Sequence, residues 1–377
     1  MTSKQRMHAA LAGQRVDRTP ATVLYNQLYH ADHFGELTGL PQWEYHRWLC
    51  MEPAEHVALL RGIVRAAPFE CVQPQLGASR EERQSTQFIQ RDGRVHRHDR
   101  RTGRTEELST ISGHARDYAA NETQYVFDAR DIAGRVKLRT ARERLAEGEL
   151  DFAVEAVRQL GADHFILTGG VIGTLYCCHS HVGLTNLYAM LAEQPSLIHE
   201  LSKRILEQNI EEIRWLAHAG GDAIYIDDAM TTSDMISPAH FEEFSLPYVR
   251  QMVREIHTLG HKAIIIYFGG IADRLDLIAA IGADGLSMET SMKNYVNDIG
   301  QIAQSIGRRV SLFGNVDPVG MLERAGDEEL EAEMRRQAGG GARARGYIAC
   351  TGSPITPATP LSRVRRFLEL GAADGSM

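Results

Sequence analysis

No stretch of the 377-residue chain reaches the ~18 consecutive apolar residues of a membrane span. The opening segment, Met1 to Gln14, is polar and helix-like and has no apolar signal core, so a cytoplasmic location is expected. Excess positive charge is missing too. With a formal net charge of -8, the chain as a whole has no electrostatic reason to bind nucleic acid or an anionic membrane, and the expected substrate is a small molecule. Cysteines are few: Cys50, Cys71, Cys177, Cys178 and Cys350, an odd number without the paired spacing of a secreted scaffold, read as reduced thiols. A Gly-rich phosphate loop is absent, since Thr168-Gly-Gly-Val-Ile-Gly173 lacks the G-x-G-x-x-G order, which argues against a dinucleotide fold.

What is present is a core. A hydrophobic fraction of 43% against 24% charged residues is enough to build one without disulfide or metal staples, so disorder does not compete. From about Ala153 onward, helical patterns alternate with short apolar runs that end in small or polar residues, the signature of repeated βα units. The runs are Asp163 to Gly170, Ala223 to Asp228, Lys262 to Gly270, Gly285 to Glu289, Val310 to Asn315 and Tyr347 to Cys350. Three of them follow Gly161-Ala-Asp163, Gly220-Gly-Asp222 and Gly282-Ala-Asp284, where each Gly suits a helix C-terminus that needs positive φ. Amphipathic helices are expected over Ser196 to His218 and Pro238 to Leu259. Earlier in the chain, Thr22 to Leu28 and Phe69 to Pro74 look like strands. The basic stretch Arg91 to Arg104 reads as a hairpin turning at Asp92-Gly93, with an anion-binding role as the alternative. Six clear strands plus two N-terminal candidates favour eight. The expectation is therefore a (β/α)8 TIM barrel with an N-terminal β-hairpin insertion, one domain spanning residues 1–377.

In such a barrel, the residues ending the strands face the active site. Asp227 and Asp228 end the run Ile224-Tyr-Ile226, and adjacent strand residues point to opposite faces, so the two carboxylates are expected to do separate jobs. One would face the cleft as an acid, base or orienting group, while the other caps the next segment. Tyr267 and Glu289 end two further strands and are candidates for proton transfer; Asn315 and Asp317 follow another, with a structural turn before Pro318 as the alternative. His30 and His33 follow the first strand and could titrate near neutrality or be surface histidines. Cys177, Cys178, His179 and His181 form the densest soft-ligand cluster. On a helix, Cys177 or Cys178 could share a face with His181 and supply half a zinc or transition-metal site, with Cys350 as a third donor; buried small hydrophobes are the alternative. Tyr25, Tyr29, Trp43, Tyr45 and Trp48 could lid the cleft, stack on a flat ligand or simply pack.

Several ordered motifs carry a family resemblance across almost the whole chain: Arg18-Thr-Pro20 after Ala-Leu-Ala-Gly13, Asp227-Asp-Ala through Ile236-Ser-Pro238, Pro247-Tyr248, and Gly314-Asn-Val-Asp-Pro318. They resemble the uroporphyrinogen decarboxylase superfamily, which holds the porphyrinogen decarboxylase and the corrinoid-linked methyltransferases. The resemblance implies a barrel with an open cleft at the strand C-terminal ends. In the decarboxylase, an Arg-Gln-Ala-Gly-Arg stretch after the first strand holds the substrate's carboxylates. Here that place reads Tyr25-Asn-Gln-Leu-Tyr-His30, which offers Tyr25, Asn26, Gln27 and His30 for substrate binding and no guanidinium. The methyltransferases carry zinc on a His-x-Cys-Gly strand motif and a Cys near the C-terminus. Cys350 matches the latter, whereas Ile266 and Phe268 stand where the His and Cys would be.

The resemblance lies nearer the methyltransferase branch. It implies transfer of a methyl group between a small metabolite and a corrinoid or other acceptor, with a corrinoid protein as partner. A decarboxylase of a small or porphyrinogen-like acid, and a non-catalytic ligand-binding barrel, are the rival readings. A homodimer through an apolar helix face is compatible with all three.

Overall fold

The computed structural model describes residues 1–108 and 129–373. Its main sheet is parallel, curled and seven-stranded: β1 (Cys71–Val72), β5 (Phe165–Ile172), β6 (Ala223–Asp227), β7 (Lys262–Tyr267), β8 (Gly285–Met288), β9 (Ser311–Phe313) and β10 (Tyr347–Ile348), hydrogen-bonded in that order. Between β1 and β5 in sequence lies a separate antiparallel sheet of β2 (Thr86–Arg91), β3 (Arg94–Asp99) and β4 (Thr105–Glu107). β2 and β3 turn at Asp92 and Gly93, with φ of 53° and 75°, the left-handed pair that a two-residue type I′ hairpin demands.

Of the eight expected strands, the one over Thr22 to Leu28 does not form. Instead, Ala349 donates to the Pro20 carbonyl and Thr22 to the Ala349 carbonyl, while Glu70 donates to the Ala21 carbonyl, so residues 20–22 bridge the two edges of the curl. The chain then turns at Tyr25, whose φ is 59°, into a helix over Asn26–Asp32. Three apolar residues were too few to carry a strand past that turn.

Alternation along the strands sorts side chains into two packing layers. Cys71, Phe165, Leu167, Ala223, Ile264, Ile266, Phe313 and Ile348 form an interior cluster with Met7 and Leu11. Their neighbours Ile224, Ile226, Ala263, Ile265 and Leu312 pack outward against the helices. Each fully buried isoleucine contributes about 1.5–3 kcal/mol of transfer free energy. The helix Ser3–Ala12, started by a Thr2–Gln5 capping box, closes the N-terminal end of the curl through Met7, Ala10 and Leu11.

At the strand starts, one device recurs. Asp222 accepts from the Ile166 amide and Asp284 from the Ala263 amide, so each carboxylate ties its strand to the preceding one. The preceding Gly220 and Gly282 have φ of 74° and 85°, as a helix-ending turn requires, whereas Gly161 has φ of -68° and needs no glycine on that account. The helix expected over Pro238 to Leu259 is divided at Ser245 into Pro238–Phe244 and Leu246–Thr258. Pro247 there lacks an amide proton, and the Ser245 hydroxyl bonds Asp228. Among the described residues, no helix is long and apolar enough to cross a membrane.

Candidate functional site

Counting by two along β6 gives Ala223, Tyr225 and Asp227 on the interior face, and along β7 gives Ile264, Ile266 and Phe268. The strand C-terminal ends therefore present Asp227 and Phe268 to the mouth of the curl. The Tyr25 hydroxyl donates to Asp227 Oδ2 at 2.7 Å, and the Ala229 amide donates to Oδ1 at 3.2 Å. Three rings stand around this carboxylate: Tyr25 meets Tyr225 edge-on at 5.1 Å between centroids and Phe268 at 5.8 Å. Tyr225 and Phe268 are only half-buried, so the group is open on one side. The Tyr225 hydroxyl is also within hydrogen-bonding reach of Gln73, which follows β1 on the interior face. Burial first, then the Asp227 charge, pushes the Tyr225 phenol up.

Asp228 faces the other way. It is fully buried, and its Oδ2 accepts from the Thr231 and Ser245 hydroxyls, both at 2.7 Å. These bonds fasten the turn after β6 to the helix pair behind it. Burial outweighs those bonds and, with the neighbouring Asp227 charge, lifts the carboxyl to about 6. Gly173 lies directly against Asp228 Oδ1, where an added Cβ would sit 2.0 Å away.

Tyr267, expected in the cleft, is corrected by the same count: it packs outward, fully buried beside Phe241 in the helix layer, and cannot touch a substrate at the mouth. Its phenol is pushed well above the ordinary value by burial and by Asp228. Glu289, by contrast, follows Gly285 and Ser287 on the interior-facing count of β8 and is half-buried. Burial raises its carboxyl, and the charges of Asp317 and Asp234 add to the rise. The neighbouring Tyr295 phenol is raised by burial and then by Glu289 and Asp234. Carboxylates are thus the charges that act on Glu289 and Tyr295. Asp234, whose Oδ1 accepts from the Gly270 amide, also lines a cleft of about 610 Å³ together with Tyr188, Ser233, His240 and Asp273.

The remaining candidates are mostly scaffolding. Asn26 donates to the Cys71 carbonyl at 2.8 Å, and the Gln27 carbonyl accepts from Gln75. His30 is buried near Phe69, and burial alone pushes its imidazole down to about 3, so it is a neutral packed ring rather than a titrating group. His33 ends the same helix, stacked on Tyr29 at 4.2 Å between ring centroids and paired with Glu36 at 2.8 Å. Asn315 bridges the Glu289 and Asn297 carbonyls and receives Gln337, which locks two loops together. Asp317 caps the turn at Pro318–Arg324 through the Val319 amide, the structural alternative weighed for it.

The proposed metal ligands do not converge. Cys350 lies in the interior cluster with Ile266 and Leu24, whereas Cys178 belongs to the outer helix layer, and Cys177 packs against that layer. Thr174–Val182 does form the expected helix, yet Cys178 contacts the Ser202 hydroxyl at 3.5 Å, Cys177 the Ile172 carbonyl at 3.6 Å, and the His181 carbonyl accepts from Arg135. Burial raises both Cys178 and Cys350 to about 12, so neither is a thiolate at neutral pH. Among the described residues, no three His, Cys, Asp or Glu side chains are grouped to hold a metal ion. A zinc ion on Cys350 does not fit these residues.

Sequence reasoning passed over Tyr225, Gln73 and the site-facing role of Phe268. The same period-two count that singled out Asp227 reaches Tyr225 two residues earlier and would have separated Phe268 from Tyr267.

Comparison with known proteins bears on this arrangement. Over 239 residues the chain is 28% identical to uroporphyrinogen decarboxylase 2, chloroplastic, of Arabidopsis thaliana, covering 61% of this chain and 58% of that protein. It is 32% identical over 174 residues to uroporphyrinogen decarboxylase of Pseudomonas syringae pv. tomato, covering 45% of this chain and 46% of that protein. The chain thus spans about half the length of the curated relatives it matches. A methyltransferase from Methanosarcina mazei shares its fold over 98% of both chains, with a TM-score of 0.69 at 19% identity. The sequence model of uroporphyrinogen decarboxylase matches residues 116–373, more than half of the chain, which belongs to that family.

Proposed function

We propose that the chain is a methyltransferase-type enzyme of its superfamily, taking a small methylated metabolite at the mouth around Asp227 and passing the methyl group to a corrinoid or other acceptor carried by a partner protein. One observation carries the reading: Asp227 is held toward the interior by Tyr25, among three aromatic rings, on a face whose strongest charges are carboxylates. Such a field repels a substrate bearing many carboxylates, and the segment Tyr25 to His30 brings no guanidinium to offset it. A small neutral or cationic substrate suffers no such penalty. The shared fold with a methyltransferase along nearly the whole chain supports this choice. The parallel curl, bridged by residues 20–22, is read as the superfamily's barrel with its eighth strand reduced to a single bridge.

In this reading, the acceptor supplies the nucleophile. The chain's own residues bind and orient: Asp227 and Tyr25 fix the polar end of the substrate, and Tyr225 and Phe268 hold the methyl-bearing end. Glu289, with its raised carboxyl, can hold a proton beside the leaving atom.

The test mixes the protein with reduced cobalamin and a panel of methylated small molecules, and follows methylcobalamin formation by absorbance. Methylation that falls at least ~100-fold in Asp227→Asn is the expected result. The curated relatives favour a second reading, decarboxylation of a small acid; release of carbon dioxide without methyl transfer would select it. Ligand binding with no turnover by either assay would leave a non-catalytic barrel.

A further inference from the structure

The mouth carries one acceptor atom that no donor among the described residues answers. Gln73 is only 4% exposed, and although its side chain reaches the Tyr225 hydroxyl, its Oε1 accepts from no donor among the described residues; it stands on the interior face that Tyr225 shares with Asp227. A buried acceptor without a donor is unfavourable until something brings it an N–H or O–H. Tyr25, which also meets the Tyr225 ring, adopts φ of 59°, one of two non-glycine residues with positive φ in the described chain; the other, Asp92, is in the hairpin turn. A bulky aromatic residue in that region is strained and persists where its surroundings hold it. Here the holding contact is the 2.7 Å bond to Asp227, and its effect is to keep the Tyr25 ring against Tyr225 and Phe268.

Three features therefore meet at one place: an ionisable acceptor in Asp227, an unanswered neutral acceptor in Gln73, and half-open aromatic faces. Carboxylate oxygen and aromatic faces both attract positive charge, and methyl groups on a cationic nitrogen pack well against rings. Two acceptors call for a ligand that still has an N–H to give. A quaternary ammonium has none, and an alcohol has the donor but gains nothing from the rings or the carboxylate charge.

We propose that the ligand of this mouth is a small methylated ammonium ion retaining an N–H, its methyl groups against Tyr25, Tyr225 and Phe268 and its N–H shared by Gln73 and Asp227. This inference rests on the reading of the mouth as the substrate site and names the substrate class for it. As a methyl donor such an ion balances simply: the C–N bond breaks, its electron pair stays on nitrogen to leave a neutral amine, and the methyl carbon bonds to the acceptor's nucleophile.

The experiment is calorimetric titration of the purified full chain at pH 7 with trimethylammonium, tetramethylammonium and neutral tert-butyl alcohol. Trimethylammonium is expected to bind at least about tenfold more tightly than either of the others. Gln73→Leu should erase most of the preference over tetramethylammonium, and Phe268→Leu should weaken both cations while leaving the melting temperature within a few degrees. Tyr267→Phe, on the outward face beside Phe241, should leave the binding of both cations unchanged, so that a loss in the mouth variants is read as local. Equal affinity for the alcohol and the cations, or no binding of trimethylammonium by the wild-type protein, overturns the proposal. Selective cation binding without methyl transfer to cobalamin would sink the methyltransferase reading and leave this one standing; methyl transfer from methyl ethers by a protein that ignores ammonium ions would do the reverse.

Discussion

Two adjacent pairs, Asp227 with Asp228 and Tyr267 with Phe268, show how one sheet assigns opposite duties to the same kind of residue. The inward members, Asp227 and Phe268, meet at an aromatic mouth that is partly open. Their outward neighbours, Asp228 and Tyr267, are fully buried between sheet and helices, where Asp228 ties the turn after β6 to Ser245. Chemistry-bearing residue types at a strand end therefore do not identify a site by themselves. The face does, and the face is set by a count of two.

The sharpest way to test this division is to remove charge on each side in turn. Asp227→Asn is expected to reduce kcat/KM at least ~100-fold, since it acts on substrate, while shifting the melting temperature by no more than a few degrees. An Asp227→Asn protein that unfolds but turns over normally when folded would reverse the assignment.

Asp228→Asn should read out in stability and in its pH dependence. The folded carboxyl titrates near 6 because of burial, whereas an unfolded aspartate titrates near 3.9. Between those values the unfolded chain has lost the proton that the folded chain keeps, so stability from this group is fully present below about pH 4 and falls as pH rises through 6. The gap corresponds to about 3 kcal/mol. An Asn side chain has no such titration. The wild-type advantage over Asp228→Asn is thus expected to shrink by that order between pH 4 and pH 8, measured by urea unfolding at each pH. A difference that is flat with pH would mean that Asp228 is not buried as an acid.

Cys350 extends the comparison to the interior itself. Packed among Ile266, Leu24 and Tyr25 with a thiol raised to about 12, it behaves as a small hydrophobe. Cys350→Ala should cost about 1–2 kcal/mol through the space it leaves. Elemental analysis should find no stoichiometric zinc in either protein. Zinc in the parent that disappears in the variant would restore the thiolate chemistry that the packing argues against.

Much of this arrangement is legible in the chain. The apolar runs at β5, β6 and β8 are entered through glycine and aspartate, and Asp222 and Asp284 show why: each caps the neighbouring strand from below. The Asp92-Gly93 turn follows from its dipeptide. Other features depend on partners far away in sequence. The Tyr25 turn is held by Asp227, some 200 residues on, and the helix break at Ser245 is reinforced by Asp228. Asn315 looked like a cleft residue because it follows a strand, yet its amide is consumed by the Glu289 and Asn297 carbonyls, which only the folded loops bring near. The cysteine cluster misled for a related reason: helical spacing brought Cys177, Cys178 and His181 onto one short helix, but the thiols turn to Ile172 and Ser202 instead of to a common centre.

Tyr267→Phe carries the smallest expected effect and isolates the outward face most cleanly. Its hydroxyl is buried with no partner among the described residues, beside a carboxyl that has already been driven toward its neutral form. Removing a buried hydroxyl that makes no hydrogen bond leaves no partner unsatisfied, and the ring keeps its contact with Phe241. Stability should change by less than ~1 kcal/mol in the same urea unfolding, and turnover should stay within about threefold. A phenol acting as a proton donor at the mouth would instead lose on the order of 100-fold when replaced. Because Phe268 is the next residue, that outcome would require β7 to be shifted by one position, exchanging every inward and outward side chain along it. A normal Tyr267→Phe enzyme beside a crippled Asp227→Asn enzyme would therefore fix the register of the site as well as its chemistry.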